Sequence, residues 1–201
     1  MSEFERWQTR FSVPDYVFGT EPNVFLRSQA HRLPAKGTAL AVADGEGRNG
    51  VWLAEQGLDV LSLDFSPAAQ DKARALAQER GVPLRLERAD LTRWTWPDAA
   101  FDVIAVIFAQ FVDPDERKRL FDGIRRALKP GGLLLLQGYR PKQLEYKTGG
   151  PKQAENMYTR ALLEQEFAGF SQLDILEHDS VIQEGTSHVG MAALIDLVGR
   201  K

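Results

Sequence analysis

Cysteine is absent from all 201 residues, which excludes disulfide scaffolds, thiolate metal sites, iron–sulfur clusters and cysteine nucleophiles. A chain of this length buries roughly 70% of its unfolded surface and needs no such staples. Charge of one sign is lacking too. The 25 Lys and Arg stand against 28 Asp and Glu, a formal −3 with the signs well mixed, which is not the basic footprint of a nucleic-acid binder. No apolar run approaches the ~20 residues that span a bilayer, and the first ten residues mix Glu3, Glu5, Arg6 and Arg10 without the apolar stretch of a secretory signal. The three histidines show no metal-ligand spacing, so no metal is expected. These absences predict one cytoplasmic domain over residues 1–201 that works on a small molecule, not on nucleic acid or a membrane, and they leave the oligomeric state open.

What is present is an alternation of short apolar runs with amphipathic segments, the pattern of an α/β fold with a largely parallel sheet. Residues 1–35 form an N-terminal cap segment and a helix, which starts at Thr20 and runs to Leu33 with Pro22 in its first turn. Strands are expected at 38–43, 58–64, 84–89, 101–108 and 133–138. Between them lie helices at 51–56, at 66–80 with Ser66 as cap and Pro67 opening it, and at 113–128 behind Asp113-Pro114. Lys129-Pro130-Gly131-Gly132 is a turn. The 139–158 stretch lapses into Pro, Gly, Lys and Gln, and a loop near this length in a compact domain suggests a lid. Thr159 caps a helix to about Phe167, and strands at 173–178 and 189–198 form an antiparallel hairpin.

The sharpest motif is Ala43-Asp44-Gly45-Glu46-Gly47-Arg48-Asn49-Gly50, set between a strand and a helix. Gly45-x-Gly47-x-x-Gly50, with Asp64 nineteen residues after Gly45, matches the dinucleotide fingerprint. A pyrophosphate there would meet the carboxylates of Asp44 and Glu46, so phosphate is the wrong guest. A ligand with a sugar, a purine and a positive charge fits better, because the glycines admit it to the backbone and a carboxylate pairs with an ammonium. S-adenosylmethionine is such a ligand. Asp64 would accept from both ribose hydroxyls and Asp90 from the adenine amino group, with Phe65 and Leu91 on the faces of the ring.

The pieces 43–50, Leu63-Asp64-Phe65-Ser66, Ala89-Asp90-Leu91, Phe101-Asp102-Val103-Ile104 and Leu128-Lys129-Pro130-Gly131-Gly132 stand in order over roughly Val42–Val198. In this the chain resembles the class I S-adenosylmethionine-dependent methyltransferases, especially small proteins of the tellurite-resistance and thiopurine methyltransferase type. The resemblance implies a Rossmann-like seven-stranded, mostly parallel sheet of order 3-2-1-4-5-7-6, the last strand antiparallel, with helices on both faces. The family's first glycine is Ala43 here and its usual strand-one acid falls at Ala41, which leaves Asp44 to meet the methionine ammonium. The expected cofactor set is Ala43, Asp44, Gly45, Glu46, Gly47, Asp64, Phe65, Ser66, Asp90, Leu91 and Phe108.

A sulfonium methyl group is already activated, so its transfer is an in-line displacement that asks the protein for alignment and desolvation, with a general base optional for soft or anionic acceptors. The implied acceptor is a thiol, a chalcogen oxyanion or a similar soft group. Candidate substrate residues are Gln110 beyond the fourth strand, Tyr16 and Phe18 of the N-terminal segment, Tyr139, Arg140 and Tyr146 of the long loop, and His188 of the last hairpin. His31 and His178 are expected to be structural, and Trp94 and Trp96 to pack in the core. Two other readings stay open: a non-catalytic protein that binds S-adenosylmethionine or its demethylated product, and a nicotinamide-dependent oxidoreductase. No Tyr here is followed four residues later by Lys, so the short-chain oxidoreductase pattern is missing.

Overall fold

The computed structural model describes residues 2–201. Its helices are α1 (Glu3–Phe11), α2 (Val24–Ser28), α3 (Arg48–Glu55), α4 (Pro67–Glu79), α5 (Pro114–Ala127), α6 (Gln143–Tyr146) and α7 (Arg160–Glu166). Its strands are β1 (Thr38–Val42), β2 (Asp59–Asp64), β3 (Arg85–Arg88), β4 (Phe101–Ile107), β5 (Leu128–Tyr139), β6 (Gln172–Glu184) and β7 (His188–Arg200). They form one sheet of order β3-β2-β1-β4-β5-β7-β6. β1 to β5 pair in parallel, and β7 runs antiparallel to both β5 and β6. This is the order the family resemblance implies.

The central strands are apolar on both faces, as a sheet covered on both sides requires. Leu40, Ile104, Val106, Leu134 and Leu136 pack with Leu120, Phe121 and Ile124 of α5 and Leu163 of α7. The alternate residues Ala39, Val103, Ala105, Leu133 and Leu135 pack with Phe25 and Leu26 of α2 and Trp52 and Leu53 of α3. Trp96 joins the first cluster, and Trp94, partly buried, stacks edge-on against it at 4.9 Å. The caps follow the sequence: Ser66 accepts from the Ala69 N–H, Asp113 from Glu116 and Thr159 from Leu162.

Four expectations change. The helix predicted over 20–33 shrinks to α2, capped by Asn23, whose side chain accepts from the Leu26 N–H. A 3-10 turn at Ala30–Arg32 follows, and Pro34 bars further helix. Residues Glu3–Phe11, expected to carry no element, form α1 through a capping box in which Ser2 accepts from the Glu5 N–H and Glu5 from the Ser2 N–H. The 129–132 turn is absorbed into an irregular start of β5, where the register against β4 shifts between Phe101 and Val103. The 139–158 stretch holds α6 and a 3-10 turn at Ala154–Asn156. It is pinned by buried Tyr139, Gln143, Met157 and Tyr158 and by the Gln143 amide, which accepts from Ala193 N–H and donates to Thr148 and Gly149.

Candidate functional site

β1, β2 and β4 deliver their C-terminal ends to one rim of the sheet, where open α/β sheets bind ligands. The β1 end turns through Ala43 (φ 49°), Gly45 (φ 59°) and Gly47 (φ 87°), and β4 ends on Phe108 (φ 55°). Ala43 and Phe108 hold left-handed backbone without being glycine, and such conformations persist where the surroundings over-determine them and cluster at functional sites.

Asp64 closes the turn from β2. One carboxylate oxygen accepts from the Gly45 N–H and the other from the Ser66 N–H, each at 2.9 Å. A carboxylate has about four acceptor positions, so each oxygen keeps capacity for a hydroxyl. Asp90, two residues past β3, accepts from the Thr92 N–H and hydroxyl on one oxygen, while the other faces only the exposed Arg93 guanidinium at 3.8 Å and could take an amino donor. Leu91 is buried and Phe65 half-buried. These acceptors fit the hydroxyl and amino donors of an adenosine.

Asp44 lies elsewhere. Its carboxyl turns beneath the bend, accepting from the Gly50 N–H at 3.1 Å and the Ser62 hydroxyl at 2.8 Å, so both oxygens are engaged in holding β1, β2 and α3 together. Burial pushes this carboxyl up to about 7 against those bonds, and pushes Asp64 up to about 6. In the unfolded chain both ionise near 3.9. Between about pH 4 and 7 the folded chain therefore holds protons that the unfolded chain has released, and these groups make stability fall as pH rises through that window. Asp44→Asn is expected to remove the Asp44 share of this slope, leaving the variant more stable than the parent at pH 8, relative to pH 5, by on the order of several kcal/mol. Denaturant unfolding at the two pH values measures it, and equal slopes in parent and variant refute it.

The N-terminal segment covers the turn. The Phe11 ring lies 3.3 Å from where a Gly45 Cβ would stand, Phe4 meets Phe65 edge-on at 5.6 Å, and the Gln8 side-chain oxygen accepts from the Ser66 hydroxyl at 2.7 Å. Glu46 does not face outward: it accepts from the N–H groups of Val17 and Phe18 and pairs with Lys72 at 2.7 Å. Tyr16 donates to the Lys72 carbonyl, stitching the same segment to α4. The Ser2-x-x-Glu5 pattern is the one local sign of α1 that the sequence carried.

The substrate candidates separate. Phe18, Tyr139 and His188 come together around Phe108, a residue of the expected cofactor set, with the His188 ring 4.4 Å from Phe18 and 4.6 Å from Phe108 and the Tyr139 ring 4.7 Å from Phe108. Arg140 and Tyr146 instead bond Asp179 on β6. Gln110 spends its amide on the Tyr139 backbone, donating to the carbonyl at 2.9 Å and accepting from the N–H at 2.6 Å, so it shapes the β5 end without offering a free polar group. His31 is exposed, and His178 bonds Ser180 and Asp196.

Beside the aromatic group lies a buried network with no forerunner in the sequence reading. Arg48 pairs with Glu184 at 2.7 Å, both nearly inaccessible, and Asn23 bridges Glu184 and Gln137 at 2.9 and 2.7 Å. Its members are up to 161 residues apart, and no local pattern announces such a contact.

Residues 39–132 match the methyltransferase-domain family model. The chain is 34% identical over 104 residues to the demethylmenaquinone methyltransferase of Thermus thermophilus, across 51% of this chain and 47% of that protein. It is 28% identical over 206 residues to the carboxy-S-adenosyl-L-methionine synthase of Pseudomonas putida, across 85% and 78%. The chain thus spans about half the length of the menaquinone-type relatives it matches. A solved structure from work on the conversion of a disulfide bond into a thioacetal group during echinomycin biosynthesis shares the fold, with a TM-score of 0.75, 19% identity, and coverage of 99% of this chain and 91% of that one.

Proposed function

We propose that this chain is an S-adenosylmethionine-dependent methyltransferase acting on a small molecule. The observation that carries the reading is Asp64, a buried acid at the end of β2 that clamps Gly45 while keeping acceptor capacity on both oxygens, inside a region that matches the methyltransferase domain. S-adenosylmethionine is the cofactor and supplies an activated sulfonium methyl group when bound. Asp64 holds the ribose, Asp90 the adenine amino group, and Leu91 and Phe65 its faces. With the Asp44 carboxyl turned inward, the backbone around Ala43 and Gly45 is what the turn presents to the methionine end. Phe11, Phe18 and Trp7 pack as one cluster and keep water from the reaction, which a displacement at carbon requires. For the acceptor we favour a thiol, a chalcogen oxyanion or another soft group.

Calorimetry with S-adenosylmethionine, its demethylated product and a nicotinamide dinucleotide tests the cofactor, and transfer of a labelled methyl group to a panel of thiol, selenite, hydroxyl and halide acceptors tests turnover. Binding of the sulfonium nucleoside with transfer to at least one acceptor is expected. Binding without transfer to any acceptor of the panel indicates a sensor, and uptake of the nicotinamide dinucleotide alone refutes the reading.

A further inference from the structure

On the side of the sheet that carries α2, a cavity of about 490 Å³ opens between that helix and the β6–β7 hairpin. Small-molecule sites run to roughly 300–1,000 Å³. Side chains alternate along a strand, so Leu176, His178, Ser180 and Ile182 of β6 share the face that lines the cavity, opposite Val24 and Phe25 of α2. Leu194, Asp196 and Val198 of β7 and Gln137 of β5 complete the lining. Of the described residues that line it, none belongs to the sets expected to hold the cofactor or the methyl acceptor.

Two groups of opposite charge in this lining are incompletely paired. The first is Asp196, whose side chain is 13% exposed. One of its oxygens accepts from the Gln137 amide at 2.6 Å and the other from His178 Nε2 at 3.1 Å. A carboxylate has about four acceptor positions, so two remain. Asp196 is also braced from behind: Gln137 accepts from Asn23, Asn23 donates to Glu184, and Glu184 pairs with Arg48, all four of these side chains being buried. Burial raises the Asp196 pKa while Gln137 and His178 lower it, and a cation in the cavity would further favour the ionised form. The second group is Arg32. Its Nε is buried without a hydrogen-bond partner, and Asp174, on β6, stands 3.8 Å from Nη1, beyond hydrogen-bond reach, while taking the Gln172 amide at 2.7 Å. A buried donor left unpaired is costly, and the guanidinium fork suits a carboxylate.

The sheet register sets the spacing between them. Asp196 pairs with Leu176 and Val198 with Asp174, so Asp174, which marks the Arg32 end, lies two residues or about 7 Å along the sheet from the level of Asp196. We propose that the cavity binds a small zwitterion in which an apolar spacer of about 7 Å separates an ammonium, held by Asp196, from a carboxylate, held by Arg32. Leu176, Val198 and Phe25 give the spacer its apolar surroundings. The Ser180 hydroxyl, 2.8 Å from His178 Nδ1, is a further polar contact at the Asp196 end. An α-amino acid carries both charges on one carbon and cannot reach both groups. The site binds and catalyses nothing, so it stands independently of the methyltransferase reading.

The test titrates the full chain with 6-aminohexanoate, hexanoate and hexylamine, following heat by calorimetry and the methyl signals of Ile182, Leu194 and Val198 by NMR. The parent is expected to bind 6-aminohexanoate about tenfold or more tighter than either singly charged probe, with shifts at those three methyl groups. Arg32→Met is expected to lose about tenfold or more on 6-aminohexanoate and hexanoate and to match the parent on hexylamine. Asp196→Asn is expected to lose as much on 6-aminohexanoate and hexylamine and to match the parent on hexanoate. Should Asp196→Asn fail to fold, Arg32→Met, whose side chain is one-third exposed, still decides the carboxylate end. No saturable binding by the parent, equal affinity for the three probes, shifts confined to other parts of the chain, or an Arg32→Met that binds all three like the parent each overturns the proposal. So does sedimentation showing a dimer whose formation alone shifts the same methyl groups, since a second copy would then be the occupant.

Discussion

Asparagine at position 64 is expected to weaken S-adenosylmethionine binding by two to four orders of magnitude while the chain still folds. The Asp64 carboxylate would accept from two ribose hydroxyls, and a hydrogen bond to a charged group contributes roughly 1.5–3 kcal/mol, with about 1.4 kcal/mol per factor of ten in affinity. Asparagine can keep one of the two backbone bonds, to Gly45 or to Ser66, and leaves the other donor facing an amide N–H. Alanine leaves both donors unpaired inside the turn, which adds about 1–3 kcal/mol of destabilisation for each, so asparagine is the cleaner probe. Because burial raises this carboxyl to about 6, the parent's affinity is expected to fall as pH drops through that value, when the group takes a proton and loses acceptor capacity. Asp64→Asn is expected to show no such dependence. Calorimetric titration from pH 5 to 8 checks both, and an unchanged dissociation constant in Asp64→Asn removes Asp64 from the ribose site.

A large loss of stability from a single methyl group is expected at Gly47→Ala. Gly47 caps α3 in the left-handed region at φ 87°, where a Cβ costs roughly 1–2 kcal/mol. That Cβ would stand 2.5 Å from the Ala73 Cβ and 2.8 Å from its Cα. Neither atom belongs to a flexible side chain, so α3 and α4 must separate, and overpacking of this kind adds about 1–3 kcal/mol. The total, about 2–5 kcal/mol, lowers the melting temperature of a domain this size by roughly 5–20 °C. Gly131→Ala is the control: Gly131 also has positive φ, at 75°, but nothing lies within 4 Å of its would-be Cβ, so only the backbone share of the loss should appear. Thermal unfolding of the two variants decides it, and equal shifts would show that the approach of α4 is not what position 47 requires.

Where local chemistry and burial agree, the sequence was explicit. Ser66-Pro67 opens α4 and Asp113-Pro114 opens α5 because a side-chain acceptor and a preset φ suit a helix start whatever surrounds it. The doubly apolar run at 101–107 sits in the sheet centre because no other position covers both of its faces. The acids Asp64 and Asp90 were legible for the same reason, since each ends a strand that its own pattern marks. Asp44 was misleading: adjacent to the glycines in the chain, it is spent on Ser62 and Gly50 beneath the turn, a contact with β2 that the motif does not contain. Gln110 is likewise spent on Tyr139.

The amino-acid sequence by itself determined the α/β alternation, the glycine bend and the acids at the ends of the second and third strands, because each depends on spacing within a few residues or on a strand's own pattern. Only the tertiary structure decided which distant side chains meet. It brought Phe18, Phe108, Tyr139 and His188 together, sent Arg140 and Tyr146 to Asp179, and buried Arg48 against Glu184 across 136 positions. Such meetings follow from how the sheet closes and which charges must be paired once water is excluded, and no short-range pattern encodes either.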